Sequence, residues 1–61
     1  MTLTKKEMLI NKINEATEVV NGVLENDIDY ALVEACRKAA VKDIRNGTEE
    51  YINDLYERCL G

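Results

Sequence analysis

Histidine, phenylalanine, tryptophan and proline are all missing from this 61-residue sequence. Without histidine the chain lacks the commonest general base, the usual activator of a nucleophilic cysteine and the commonest metal ligand. Paired carboxylates could still carry out acid–base chemistry, but only inside a cleft that shifts their pKa values, and a small helical bundle rarely encloses one. We therefore expect a protein that is not an enzyme, with no catalytic residues, no cofactor and no metal.

Large apolar side chains are scarce. Hydrophobic residues make up 46% of the sequence, yet only three residues are aromatic, and all three are tyrosine. Ordering each residue on folding costs about 1.5 kcal/mol, and burial of small side chains such as alanine and valine offsets little of that cost. A single chain is therefore short of core, and self-association is the simplest way to supply the missing buried area.

Cysteine is also scarce, since Cys36 and Cys59 are the only two. They are too few for a disulfide framework, and they lack the CxxC or Cys/His spacing of a zinc site. The simplest interpretation is that both are small, reduced side chains in the core.

No apolar run approaches the roughly 20 residues needed to cross a bilayer, and the N-terminal sequence MTLTKKEMLINK has no hydrophobic signal core. The net charge is −4, from twelve acidic and eight basic residues, which opposes binding to phosphate backbones and to anionic lipids. These features predict a cytoplasmic protein without a membrane partner, and they argue against nucleic acid as a partner.

One acidic pair, Asp27 and Asp29, resembles the start of a calcium-binding loop. Counted from Asp27, however, Leu32 stands where such a loop needs glycine, and Lys38 stands where it needs a bidentate glutamate. Both carboxylates fit better as capping charges at the start of a helix, because the positive end of the helix dipole attracts them.

The sequence does contain three helical patterns, which are separated by two Asn-Gly pairs typical of helix stops. Thr4 and Glu7 have the spacing of a capping box, which starts the first helix at Lys5. The apolar residues of this helix recur at steps of three and four: Leu9, Ile13, Ala16, Val20, Val23 and Leu24. We predict a helix over about 5–22, ending between residues 21 and 25.

The second helix is predicted over about 28–45 and is stopped at Gly47; its cap and the negative charge near its start come from Asn26, Asp27 and Asp29. Apolar residues cover more than half of its circumference: Ile28, Ala31, Leu32, Ala35 and Ala39, with Val33, Cys36, Ala40 and Ile44 beside them. A helix covered by one neighbour needs a stripe of only about 100°. We therefore expect the second helix to be central, with neighbours on two sides.

Thr48 caps a third helix over about 49–60. The apolar residues of this helix form one narrow stripe: Tyr51, Ile52, Leu55, Tyr56 and Cys59. Asp54 and Arg58, on the other side, are spaced as a favourable ion pair. No internal repeat or linker divides the chain, so we predict a single all-α domain over 1–61, built as a compact three-helix domain.

The alanines of the second helix indicate a contact surface. Ala31, Ala35 and Ala39 recur at every fourth position, and small side chains in a row let another backbone approach closely. Alanine is also the best helix former, so helix propensity alone is the alternative explanation. Because these alanines share a side with large apolar residues and core is scarce, we predict a homodimer interface. It comprises Ile28, Ala31, Leu32, Ala35, Ala39 and Ala40.

For function, elimination leaves a small non-enzymatic module that binds an unidentified protein, as its regulator or inhibitor, and acts as a homo-oligomer. One alternative is an acidic nucleic-acid mimic, in which Glu50, Asp54 and Glu57 imitate a row of phosphates for a basic partner. Another is a DNA-binding pair formed by the second and third helices. The outward acidic side chains of the third helix oppose DNA binding, because phosphates would repel them.

Overall fold

A computed structural model describes residues 3–61 of the chain as three α-helices. They are α1 (Lys5–Asn21), α2 (Asp27–Asn46) and α3 (Glu49–Cys59), and the described residues include no strand. Each predicted helix boundary is confirmed to within one residue. The all-α, three-helix fold predicted from the sequence is therefore confirmed.

The helices begin where the sequence supplies caps. Thr4 Oγ1 accepts a hydrogen bond from the backbone N–H of Glu7 at 3.2 Å, and the Glu7 side chain accepts one from the Thr4 backbone N–H. Asn26 Oδ1 accepts from the backbone N–H of Asp29 at 2.8 Å, and Thr48 caps α3 in the same way. The caps predicted at Thr4 and Thr48 are confirmed, and of the three residues predicted to supply the cap and charge of α2 it is Asn26 that caps the helix. Each satisfies a backbone donor that the first turn of a helix leaves without a partner.

Both Asn-Gly pairs end a helix, but not through the left-handed backbone conformation that often places glycine there. Gly22 has helical dihedral angles (φ −65°, ψ −17°), and Gly47 is extended (φ −68°, ψ 150°). A β-carbon added at Gly47 would lie 2.8 Å from Tyr51 Cδ2 and 3.0 Å from Ile52 Cδ1. Gly47 is therefore needed because α3 turns back closely against the end of α2.

Replacing Gly47 with alanine is expected to lower the free energy of unfolding by about 1–3 kcal/mol, the usual cost of overpacking. Gly22→Ala is the matched control. Alanine fits its helical dihedral angles, and the added β-carbon would lie 3.3 Å from the Val19 carbonyl oxygen, so stability should change by less than about 1 kcal/mol. Urea denaturation followed by circular dichroism measures both. Equal losses in the two variants would contradict the close approach at Gly47.

The core of residues 3–61 is small. Three side chains are buried, namely Leu9, Ile44 and Ile52, one from each helix. Partly buried residues pack around them: Ile10, Ile13, Leu55, Tyr56 and Leu60. The core therefore sits at one end of the molecule, where the first half of α1, the end of α2 and the start of α3 meet.

The position of α2 in the bundle differs from the prediction. α1 makes extensive contacts with both other helices, whereas α2 and α3 come close at few positions. Polar contacts reinforce the first half of α1: Lys5 Nζ donates to Asn53 Oδ1 of α3 at 2.9 Å, and Lys6 Nζ donates to the Arg45 carbonyl of α2 at 3.1 Å. Because only α1 makes extensive contacts with both other helices, the central helix is α1 rather than α2.

Candidate protein-interaction surfaces

The face of α2 predicted as an interface is uncovered within the chain. Ile28 is 73% exposed and Leu32 is 60% exposed, although both are large apolar side chains. Ala31, Ala35 and Ala39 are exposed as well. We call these five residues the outer face of α2. Their exposure leaves room for a neighbour from another molecule.

The outer face lies away from α1 because of where its residues fall on the helix. Positions 28, 32, 35 and 39 follow alternating steps of four and three, which keep them on one side. At about 100° per residue, that side is about 150° round the cylinder from the buried Ile44. No neighbour within residues 3–61 therefore explains the alanine spacing.

A second apolar surface lies beside α3 and continues past its end. α3 has 11 residues and α2 has 20, which correspond to rods of about 16 Å and about 30 Å. α3 is therefore too short to cover the whole layer formed by α1 and α2. A hollow of about 340 Å³ runs along the side of α3, where Tyr51, Leu55 and Cys59 line it, and Lys12 of α1 borders it as well.

The layer continues past α3 as an open groove. This part encloses about 400 Å³. Most of its lining is apolar or small, including Ile13, Ala16, Val20, Leu32, Cys36 and Ala40. Ile13, Ala16 and Ala40 line both hollows, so the two form one continuous depression, which we call the α1/α2 groove. Ala40, predicted as part of the dimer interface, lies half-buried in this groove, and Leu32 borders both surfaces.

Two of the charged side chains that line the groove, Asp43 and Arg37, are already paired. The Tyr51 hydroxyl donates to the Asp43 carboxylate, and this hydrogen bond raises the pKa of Tyr51, because ionisation would break it beside a negative charge. Arg37 donates to Glu34, and that hydrogen bond lowers the pKa of the Glu34 carboxyl. Asp43 and Arg37 would therefore keep their partners when an apolar ligand enters the groove.

Cys36 and Cys59 both line the groove as free, exposed thiols. The prediction that the two cysteines are not joined by a disulfide is confirmed. The prediction that they are core residues is wrong. The physical reason is the length of α3. No helix of the described chain covers Cys36, and Cys59 lies in the last turn of α3, where the groove opens.

The acidic residues proposed as a phosphate mimic are all on the surface of α3. Glu50, Asp54 and Glu57 are exposed. Asp54 Oδ2 lies 3.2 Å from Arg58 Nε, which confirms the predicted helical ion pair. A positive charge therefore stands within the acidic row, which makes it a poorer imitation of a phosphate backbone.

Neither a metal centre nor a membrane span supplies a further indication of function. Among residues 3–61, no three histidine, cysteine, aspartate or glutamate side chains lie close enough together to hold a metal ion. No described helix combines the length and the apolar character needed to cross a membrane. Comparisons with protein-family models, with curated proteins and with solved structures give no match to this chain.

Proposed function

We propose that this protein is a non-enzymatic protein-binding module that regulates or inhibits a larger protein through its helical surfaces, and that it acts as a homo-oligomer. The observation that carries the proposal is the distribution of apolar side chains. Eight large hydrophobic side chains are exposed among residues 3–61, whereas three are buried. Four of the eight lie on the two surfaces described above, namely Val20, Ile28, Leu32 and Tyr51, and grouped apolar surface is typical of sites that bind another protein.

The α1/α2 groove fits an amphipathic helix of the regulated protein. The groove between the antiparallel helices α1 and α2 is the position that a third helix occupies in a helical bundle. α3 occupies this position over only part of the groove's length. Helix-in-groove binding uses apolar anchors at steps of three and four residues. A partner helix with one apolar side could therefore extend the bundle beyond Cys59.

The charge of the chain supports a protein partner over nucleic acid. The net charge is −4, and the exposed side of α3 begins with Glu49 and Glu50. The basic residues Arg37, Lys38, Lys42 and Arg45 lie in the second half of α2, where they complement the negative end of the helix dipole. These four side chains line one hollow on α2, whereas the chain as a whole repels phosphates through its net negative charge.

Affinity capture from cells of the native host, with Ala16→Arg as the test variant, separates the possible partner surfaces. Ala16 is exposed in the groove, so arginine there should block the channel and leave the fold intact, as judged by circular dichroism. We expect a protein that the wild type retains and Ala16→Arg loses. The matched control is the double variant Asp54→Lys, Glu57→Lys, which should retain it.

The reverse pattern would overturn the groove as the binding site. A partner that survives Ala16→Arg but is lost on charge reversal of α3, and that salt also weakens, would establish the nucleic-acid mimic instead. Salt-dependent binding of the protein to duplex DNA would establish the DNA-binding alternative.

A further inference from the structure

The chain exposes more surface than a folded monomer of its size. Its accessible area is 4832 Å² for a mass of 6.9 kDa. A folded monomer of that mass exposes about 4,000 Å². The excess of about 800 Å² is what each partner buries in a standard protein–protein interface. A second copy of the chain could bury this excess area. In a two-fold dimer the same face of each molecule is buried, so each copy covers the other.

The order of large and small residues on the outer face of α2 selects one way to pair two copies. Ile28 and Ala39 are equally far from the midpoint between residues 33 and 34, and so are Leu32 and Ala35. An antiparallel pair about that midpoint sets each large side chain opposite an alanine of the other copy. A parallel pair would set Ile28 against Ile28, where two large side chains would collide. It would set Ala35 against Ala35, where two small side chains would leave a gap.

Charges beside the outer face match the same register. Asp27, Lys38 and Lys42 are exposed and fall on one flank of α2. In the antiparallel pair about the same midpoint, Asp27 of one copy lies between Lys38 and Lys42 of the other. This attraction acts against the repulsion between two molecules of net charge −4 each. In a parallel pair the same flank of the two copies would lie on opposite sides of the contact, so Asp27 would face neither lysine.

We infer that the outer face of α2 is covered by α2 of a second copy, with the two helices antiparallel, Ile28 opposite Ala39 and Leu32 opposite Ala35. The inference rests on the proposed function, because it names the occupant of one of the surfaces through which that function acts. It leaves the α1/α2 groove of each copy for a different protein.

Cysteine cross-linking tests the register in a background of Cys36→Ser and Cys59→Ser, two exposed positions. In the antiparallel pair the two copies of position 35 are offset by about 4.5 Å along the helix axis, within disulfide range. The two copies of position 39 are offset by about 16 Å, which is too far. Diamide serves as the oxidant and takes up the two electrons and two protons that the thiols release.

Ala35→Cys is expected to form a covalent dimer at micromolar concentration, whereas Ala39→Cys alone is not. An equal mixture of Ala39→Cys and Ile28→Cys proteins should link to each other, since these positions face across the interface. Linking of Ala39→Cys to itself as readily as Ala35→Cys would show a parallel pair and overturn the inference. A monomeric mass of the background protein in sedimentation equilibrium would overturn it as well. The result with Ala16→Arg does not depend on this register, so the two proposals fail separately.

Discussion

Replacing Ile44 with alanine is expected to unfold most of the protein at room temperature. The side chain is 2% exposed and packs with Leu9 and Ile52, the two other buried residues of the described chain. Truncating a buried isoleucine costs about 2–5 kcal/mol. A domain of this size holds only about 3–5 kcal/mol from its single core. Far-UV circular dichroism of dilute protein during urea titration measures the loss.

Ile28→Ala is the matched control, because it removes the same atoms from a side chain that is 73% exposed. In dilute protein, where the chain is monomeric, its free energy of unfolding should stay within about 0.5 kcal/mol of the wild-type value. At higher protein concentration the loss should grow, since Ile28 lies in the interface of the proposed dimer, whose formation would stabilise the fold. A large loss in dilute protein would mean that Ile28 is buried within one chain.

The helix boundaries could be predicted from the sequence because their causes are local. Thr4, Asn26 and Thr48 each reach a backbone donor three residues ahead, and Gly47 is followed at once by the residue that caps α3. These contacts involve neighbours in sequence, so residue type and spacing are enough to locate them. The exposure of Ile28 is different, since it depends on which side of α2 another helix takes.

The α1/α2 groove and the exposure of the cysteines were not predicted, because both depend on relative helix length in three dimensions. The signal was present in the apolar stripes. The stripe of α1 runs from Leu9 to Val20 and beyond, whereas that of α3 ends at Cys59. The stripe of α3 also starts against the first turns of α1, as the hydrogen bond from Lys5 to Asn53 shows. A short helix aligned with one end of a longer one must leave the other end uncovered.

Ala35→Arg is expected to separate the two copies without unfolding either of them. The position is exposed within the chain, and arginine is a good helix former, so the monomer should keep its helical content. In the proposed antiparallel pair the same position faces Leu32 of the second copy in the middle of the interface. A charged side chain there would push the two backbones apart or be buried without a partner, which costs about 3 kcal/mol or more. The dissociation constant should therefore rise at least about 100-fold.

Sedimentation equilibrium and the concentration dependence of the melting temperature measure this change together. Association stabilises the folded state by mass action, so the melting temperature of the wild type should rise with protein concentration, and that of Ala35→Arg should not. Asn11→Arg adds the same side chain and the same charge at an exposed position of α1, on the side away from the groove, and should remain dimeric. If Asn11→Arg also lost the dimer, the dissociation caused by Ala35→Arg would be an effect of added charge and not of its position. Unfolding of Ala35→Arg in dilute protein would contradict the exposure of the outer face, because a side chain in water has room for arginine.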